Sequence, residues 1–212
     1  AQPSCEYTGE AQRPQVSVKH SGRLLKEGED YTISYGNNVG IGRATATVRG
    51  TGKNYAGTRT VSFDIVAPKN KWLNIQGKKY YYGADGQPVK WSRKIDGSWY
   101  YFNGSGVMQT GWITWKDGTK SFFDWDGRAL FGWRSFSGVK YYFDSSTGKS
   151  LRWGQNISGN FYYFNSSSQM HRGWLTWSDG KKSYFNSNGC ALAGWQSLAG
   201  KRYYFDPSTY KT

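Results

Sequence analysis

Acid–base or nucleophilic chemistry would need histidines close to a serine, a cysteine or a carboxylate. The chain has two histidines, His20 and His171, and neither has such a partner nearby in the sequence. The aspartates at positions 85, 96, 117, 126 and 179 each precede a glycine, which is typical of tight turns. The sequence therefore predicts no catalytic residues, and we expect a protein that is not an enzyme.

The cysteines also offer little chemistry. Cys5 and Cys190 are 185 positions apart and lie in segments of different composition, so we expect free thiols rather than a disulfide. Neither has the spacing of metal ligands, and the sequence predicts no metal site and no cofactor. No apolar run reaches transmembrane length, so membrane insertion is not expected. The start of the chain is not a signal peptide, and a secreted protein would be present here as a mature form or a fragment.

The positive charge is concentrated in the C-terminal two thirds of the chain. There are 28 Lys and Arg residues against 14 Asp and Glu residues, a net charge of +14. Residues 69–212 hold 20 basic and eight acidic residues, whereas residues 1–68 hold eight and six. A surplus of this size attracts polyanions such as nucleic acid, anionic lipid headgroups or phosphate-bearing wall polymers.

Tryptophan recurs about every 20 residues, at positions 72, 91, 112, 133, 153, 174 and 195. Seven or eight residues after each tryptophan comes a four-residue aromatic strand, such as KYYY at 79–82 or WYYF at 99–102. A glycine turn separates the two, as at Asp96-Gly97 or Asp117-Gly118, and Asp-Gly is the favoured signal for a type I′ hairpin turn. Each unit therefore predicts one β-hairpin.

The hairpins are too short to be stable alone, so they must stack and share an aromatic core. The fourth position of every aromatic strand is Tyr or Phe, and we expect it to face the core, with positions one and three facing the other way. A second period relates residues 111–124 to residues 173–186, an offset of 62. Three hairpins per long repeat predict a superhelix with three hairpins in each turn.

The first 68 residues follow another pattern. The segments QVSVKH, DYTISYG, RATATVRG and TRTVSFDIV alternate in polarity and are rich in Val and Thr, which predicts a small antiparallel β-sandwich. We place the boundary at Pro68 and expect the two parts to touch only there. The predicted fold class is all-β, with a sandwich domain in residues 1–68 and a seven-hairpin solenoid in residues 69–212.

The motifs GWITWKDGTKSFFDWDG and WYYFNGSGVMQTGW show that residues 72–212 resemble the choline-binding or cell-wall-binding repeat family. Clostridial toxin repeats and streptococcal glucan-binding repeats share this pattern. Residues 1–68, which contain EYTGEAQRPQVSV and EGEDYTISYGNNVG, resemble the bacterial immunoglobulin-like spacer repeats of surface proteins. The two resemblances imply a secreted protein located at the cell wall or cell surface of a Gram-positive bacterium.

In the choline-binding family the ligand sits between successive hairpins in a cage of aromatic rings, often with a methionine. The resemblance implies such a cage wherever position one of the strand is aromatic, which is true of two repeats. The first set lies 62 residues before the second. The ligand-binding residues implied are Trp91, Trp99, Met108 and Trp112 in the first set and Trp153, Phe161, Met170 and Trp174 in the second.

At the other five repeats position one is Lys or Arg, at 79, 120, 140, 182 and 202. A fixed cation would repel choline, and we expect its aliphatic stem to cover the neighbouring tryptophan. Sugar stacking or an anionic polymer is favoured there. Trp115 and Trp177 are additional aromatic residues that either pack or stack against a ligand.

The predicted function is a non-catalytic module that binds cell-wall polymer, either choline on teichoic acid or a wall glycan. A glucan-binding or host-glycan-binding adhesin and a structural stalk without ligand remain alternatives. Nucleic acid is disfavoured as a partner, because the aromatic residues keep strict hairpin spacing and no RNP-like or OB signature is present. Whose surface is bound, whether a catalytic domain precedes this chain and the oligomeric state are left open.

Overall fold

The computed structural model describes residues 3–212, which contain twenty β-strands. The first six are β1 (Ser4–Glu6), β2 (Lys19–His20), β3 (Arg23–Leu24), β4 (Tyr31–Gly36), β5 (Gly42–Gly50) and β6 (Thr58–Val66). Four of them form a sheet in the order β1-β6-β5-β4, in which β1 runs parallel to β6 and the other pairs are antiparallel. Strands β2 and β3 pair separately as a short ribbon.

Alternation of small and polar residues explains the burial in the four-stranded sheet. Ala44 and Ala46 of β5 are buried. Thr47, the next residue of the strand, is hydrogen-bonded to Thr60 of β6, with 3.0 Å between the two hydroxyl oxygens. Ala44 packs with Phe63 and Ile65 of β6 to form the core of this segment. The segments DYTISYG, RATATVRG and TRTVSFDIV therefore form strands where the sequence predicted them, whereas of QVSVKH only Lys19 and His20 are in a strand.

Seven antiparallel hairpins follow, each a two-stranded sheet of its own, as predicted. We number them 1 to 7 in chain order. Their strands are β7 (Lys71–Ile75) and β8 (Lys78–Tyr82), β9 (Trp91–Ile95) and β10 (Ser98–Phe102), β11 (Gly111–Thr114) and β12 (Lys120–Phe123), β13 (Gly132–Phe136) and β14 (Val139–Phe143), β15 (Trp153–Ile157) and β16 (Asn160–Phe164), β17 (Gly173–Thr176) and β18 (Lys182–Phe185), and β19 (Gly194–Leu198) and β20 (Lys201–Phe205).

The hairpin turns are of two kinds. In hairpin 2, Asp96 and Gly97 both have positive φ angles, 47° and 82°, as a type I′ turn requires. Hairpins 1, 4, 5 and 7 turn in the same way. In hairpins 3 and 6 the type I′ expectation is wrong, because Gly118 and Gly180 have positive φ angles but the preceding aspartates do not. These two hairpins have longer loops, and the loop of hairpin 3 spans residues 115–119.

The fourth residue of every aromatic strand is buried, as predicted. Phe102, Phe143, Phe164 and Phe205 have no exposed surface, and the three others are nearly as well covered. The remaining members of this row are Tyr82, Phe123 and Phe185. One buried ring in each hairpin is what short hairpins need in order to pack on their neighbours.

The segment after each of hairpins 2 to 7 is bonded to the hairpin before its own. Leu151 donates its backbone N–H to Tyr142 in its own hairpin, at 2.9 Å, and Ser150 donates to Lys120 in the preceding hairpin, at 2.6 Å. The same bond to position one of the preceding hairpin is made by Met108, Ala129, Met170, Ala191 and Thr212. The linkers therefore connect each hairpin to the one before it through the backbone.

The chain divides into two compact units, residues 1–93 with 101–108 and residues 94–100 with 109–212. Within the first unit, hairpin 1 contacts the N-terminal segment at several points: Tyr7 lies 6.1 Å from Tyr82 between ring centroids, and Gly9 faces Ile75. The expectation that the two parts touch only near Pro68 is therefore wrong. The domain boundary at residue 68 stays a prediction.

Candidate functional site

Tryptophans in the first strands of the hairpins pack against the following hairpin. The ring of Trp133 lies 5.1 Å from Tyr142 of its own hairpin and 4.9 and 5.9 Å from Tyr162 and Phe164 of hairpin 5, between centroids. Equivalent contacts join Trp112 to Tyr141 and Phe143, and Trp174 to Tyr203 and Phe205. These rings hold neighbouring hairpins together while keeping part of their surface exposed.

Hairpin 5 departs from this arrangement by one residue. In hairpins 3, 4, 6 and 7 the residue opposite position four is a glycine, and the tryptophan comes next. In hairpin 5, Trp153 itself lies opposite Phe164, and Gly154 takes the usual place of the tryptophan. Trp153 has a φ angle of 63°, and Trp91 in hairpin 2 has one of 65°. The two side chains are consequently among the more exposed aromatic residues, at 49% and 58%.

The space above Gly154 is filled by Phe161, the residue at position one of β16. A Cβ atom at residue 154 would lie 2.6 Å from Cζ of Phe161. On its other side Phe161 stacks on Tyr210, with centroids 5.0 Å apart and planes 4° from parallel. The Phe161 side chain is therefore half-buried and packed against its neighbours. The expectation that position one faces outward is wrong for this residue.

The other two residues of the second set have different neighbours. The side chain of Met170 lies against Gly189, where an added Cβ would be 2.4 Å from its sulfur. Trp174 packs on Tyr184, Tyr203 and Phe205 as described for its class. The four residues Trp153, Phe161, Met170 and Trp174 thus belong to hairpins 5 and 6 and the linker between them, and the two tryptophans expose the ring surface available to a ligand.

The first set is divided between the two units. Trp91 and Met108 belong to the first unit, where the ring of Trp91 lies 6.5 Å from that of Tyr101. Trp99 and Trp112 belong to the second, and both are partly exposed. Trp112 packs on Tyr141 and Phe143 of the following hairpin, in the way already described.

Protein cations cover several tryptophan faces. Lys120 and Arg202, both at position one of their strands, lie 5.9 and 5.0 Å from the ring centroids of Trp112 and Trp195. At these two hairpins the position-one side chain covers its neighbouring tryptophan, with the charged group over the ring where the aliphatic stem was expected. Arg152 covers Trp153 in the same way, with its guanidinium carbon 5.0 Å from the ring centroid.

Two further cations come from linkers, and sequence reasoning did not find them. Lys149 lies over Trp115 and Lys211 over Trp177, and each ammonium also pairs with a carboxylate. The hydrogen bond from Lys149 holds the pKa of Asp117 well below its usual range, and Lys211 lowers the pKa of Asp179. The detectable signal was the 62-residue offset between DSSTGKS at 144–150 and DPSTYKT at 206–212.

The remaining titratable side chains serve turns and packing. Asp144 accepts hydrogen bonds from Ser146 and Thr147, which lower its pKa to about 2. Cys190 is a free thiol, as predicted, and its sulfur lies 3.3 Å from the Tyr162 hydroxyl oxygen; the interaction with Cys190 and burial raise the pKa of that tyrosine to about 12. Within residues 3–212 no group of three potential metal ligands is found, and no helix is long and apolar enough to span a membrane.

One exposed tryptophan lies outside all of these arrangements. Trp125, in the turn after hairpin 3, is 94% exposed, whereas the equivalent positions in hairpins 4 and 5 hold Ser145 and Ser166. The sequence repeats gave no signal for it, because this turn position holds Ala, Gly, Ser or Pro in the other hairpins.

Two family models match the hairpins. A choline-binding repeat matches residues 89–129, and a cell wall binding repeat matches residues 70–87, 155–167 and 193–208. The chain therefore contains choline-binding repeats, as the sequence motifs indicated. No curated protein sequence matches it.

The chain is also similar to solved structures from Streptococcus pneumoniae. It superposes on choline binding protein F, solved in the presence of a peptidoglycan analogue, with a TM-score of 0.61 and 28% identity over 90% of this chain and 67% of that one. It superposes on CbpJ with a TM-score of 0.61 and 22% identity, over 92% and 69% of the two chains, a likeness of fold alone. Together with the family matches, the first likeness supports a non-catalytic cell-wall choline-binding module.

Proposed function

We propose that this chain attaches non-covalently to cell-wall polymer through the exposed tryptophan faces of its hairpins. Choline-binding repeats in hairpins 1, 2, 3, 5 and 7 are the observation that carries the proposal. The net charge of +14 adds a long-range attraction to phosphate-bearing polymers, which brings the aromatic surfaces to the wall. The likeness to choline binding protein F supports wall polymer as the partner, because that protein was solved with a peptidoglycan analogue.

Choline is the ligand we assign to the two aromatic sets. In the second set, Trp174 and the part of Trp153 that Arg152 leaves exposed offer ring surface to a quaternary ammonium, and Phe161 and Met170 support them from the packed side. We extend the assignment to the first set because each of its residues lies 62 positions before its counterpart in the second set. The members of the first set are Trp91, Trp99, Met108 and Trp112.

The wider architecture belongs to the same proposal. Residues 69–212 form a solenoid with three hairpins in each turn, and residues 1–68 form an immunoglobulin-like spacer that holds it away from the rest of the surface protein. The protein is secreted and acts at the cell wall or cell surface without catalysis. Nucleic acid and membrane insertion have no part in this function.

A glycan-binding adhesin is the second candidate. Arg202 over Trp195 and Lys120 over Trp112 place fixed cations where choline would otherwise approach. A sugar ring or a phosphate group suits such a surface better than a second cation. Under this reading the partner is a glucan or a host glycan, and a structural stalk would bind neither.

Binding to purified walls tests the proposal. The full chain is mixed with choline-bearing walls and with walls lacking choline, and the pelleted fraction is measured against free choline as competitor. We expect pelleting with choline-bearing walls, loss of it in excess choline, and weaker pelleting of Trp174→Ala. Trp125→Ser is the matched control and should pellet like the native chain. Pelleting that choline does not reduce, but that a soluble glucan does, would favour the adhesin instead.

A further inference from the structure

Hairpins 3 and 6 carry the same group of four side chains, which the proposed function leaves unused. In hairpin 3, the Lys149 ammonium lies 5.6 Å from the centroid of the Trp115 ring and 2.8 Å from Oδ2 of Asp117. In hairpin 6 the corresponding distances from the Lys211 ammonium are 4.8 and 2.8 Å. The Trp115 group is Trp115, Asp117, Ser121 and Lys149, and the Trp177 group is Trp177, Asp179, Ser183 and Lys211.

The loop at residues 115–119 fixes the ring and the carboxylate. Backbone bonds run from Trp115 N–H to Thr119 at 2.8 Å and from Gly118 N–H to Trp115 at 2.9 Å, and Asp117 accepts from the Thr119 N–H at 2.9 Å. The indole N–H donates to the Ser121 hydroxyl at 2.9 Å, and that hydroxyl donates to the backbone carbonyl of Gly148 at 2.7 Å. The orientation of the Trp115 ring therefore does not depend on the lysine.

The linker carries Lys149 to this ring. On one side, Asp144 holds the turn through hydrogen bonds from Ser146 and Thr147. On the other, the Ser150 N–H donates to the Lys120 carbonyl and the Ser150 hydroxyl accepts from the Lys120 N–H, at 2.6 and 2.8 Å. Because the backbone is bonded on both sides of Lys149, the lysine side chain can be removed without releasing the linker.

An indole face beside a carboxylate is the combination that binds an organic ammonium ion, by cation–π attraction and by charge. We propose that Lys149 and Lys211 act as internal ligands, each filling an aromatic–carboxylate site that would otherwise accept an external organic ammonium. The two lysines therefore close the Trp115 and Trp177 ring faces to cationic ligands and confine such ligands to the tryptophan surfaces that stay exposed, Trp174 of hairpin 6 among them. This rests on the proposed function and extends it, since it assigns to these lysines the choice of which tryptophan faces bind.

Solvent reaches both sites. The Lys149 and Asp117 side chains are 40% and 51% exposed, and those of Lys211 and Asp179 are 26% and 46% exposed. A small cation can therefore enter once the lysine is gone. The Trp177 group is the second, independent copy of the arrangement, which makes an accidental contact a poor explanation of either one.

The test uses tetramethylammonium chloride as the probe, with sodium chloride at equal concentration as the salt control. The indole N–H signal of Trp115 is assigned by its absence in Trp115→Phe and followed by NMR in the full chain. We expect little shift in the native chain and a saturable shift in Lys149→Ala, with an apparent Kd for the probe lower by on the order of threefold to tenfold. Adding Asp117→Asn to that variant should abolish most of the gain.

Each outcome decides for or against the proposal. A folded Lys149→Ala whose Trp115 signal does not respond to the probe would overturn it, as would an equal response in the native chain. Lys211→Ala, followed at Trp177, repeats the test, and unfolding of both alanine variants would show that the lysines are structural instead. Wall binding is measured separately, so a native chain that fails to bind choline-bearing walls contradicts the proposed function while leaving the Trp115 result intact.

Discussion

Replacement of Trp153 separates the ligand-binding and structural parts of the account. The side chain is 49% exposed, so of the roughly 200 Å² that a large aromatic residue can bury, about half is covered. At about 25 cal/mol per Å², this burial stabilises the fold by about 2.5 kcal/mol, and Trp153→Ala should lose about 2 kcal/mol of it. The φ angle of 63° adds a cost of about 1 kcal/mol for any residue with a Cβ, which alanine keeps and glycine does not.

Trp153→Gly should therefore unfold with a free energy about 1 kcal/mol higher than Trp153→Ala, although it removes one more carbon. Glycine is also the residue that hairpin 4 has at this register position, Gly132, with a φ angle of 69°. Urea unfolding followed by near-UV circular dichroism measures the difference. Choline affinity, from titration of the same proteins, should fall equally in both variants. An alanine variant at least as stable as the glycine variant would refute the argument from backbone conformation.

Three further predictions follow from burial, charge and hydrogen bonding. Phe143→Ala should cost roughly 3 to 5 kcal/mol of unfolding free energy in urea, because the ring has no exposed surface and its removal leaves a cavity; a loss below 1 kcal/mol would contradict the shared core. Wall binding should weaken as salt rises from low to physiological ionic strength, since residues 69–212 carry most of the net charge of +14; salt-independent pelleting would leave stacking as the dominant contribution. Hydrogen bonds from Ser146 and Thr147 lower the pKa of Asp144 from 3.8 to about 2, so the stability it contributes is complete above its ordinary pKa and is lost as pH falls through about 2; in acid unfolding Asp144→Asn should lack this component, and an unchanged acid profile would count against it.

The hairpins could be predicted from the sequence because their signals are local. Asp96-Gly97 specifies a two-residue turn, and Phe143 lies at the buried position that period-two alternation assigns to it. Position four is aromatic in all seven strands, which made the core row readable without any structure. Local turn chemistry and strand alternation were sufficient for this part of the fold.

The site was harder to predict, because its details depend on a one-residue register shift and on contacts between hairpins. Matching tryptophan to tryptophan hid the fact that Trp153 occupies a glycine position, while Gly154 leaves room for Phe161. Lys149 lies 34 residues after Trp115 in the sequence, and only the bond between its linker and hairpin 3 brings the two together. The alternation that places side chains on one strand carries no information about which linker covers that strand.

Contact between choline and the protein is the most direct test of the central claim. Intermolecular nuclear Overhauser effects between the choline methyl protons and the indole protons of the native chain report which rings touch the ligand. The account predicts effects to Trp174 and to Trp153, which stay 40% and 49% exposed although Arg152 lies over Trp153. It predicts none to Trp115 or Trp177, which are half-buried under Lys149 and Lys211. Choline methyl groups that contact none of the exposed tryptophans, or that contact Trp115 in the native chain, would contradict it.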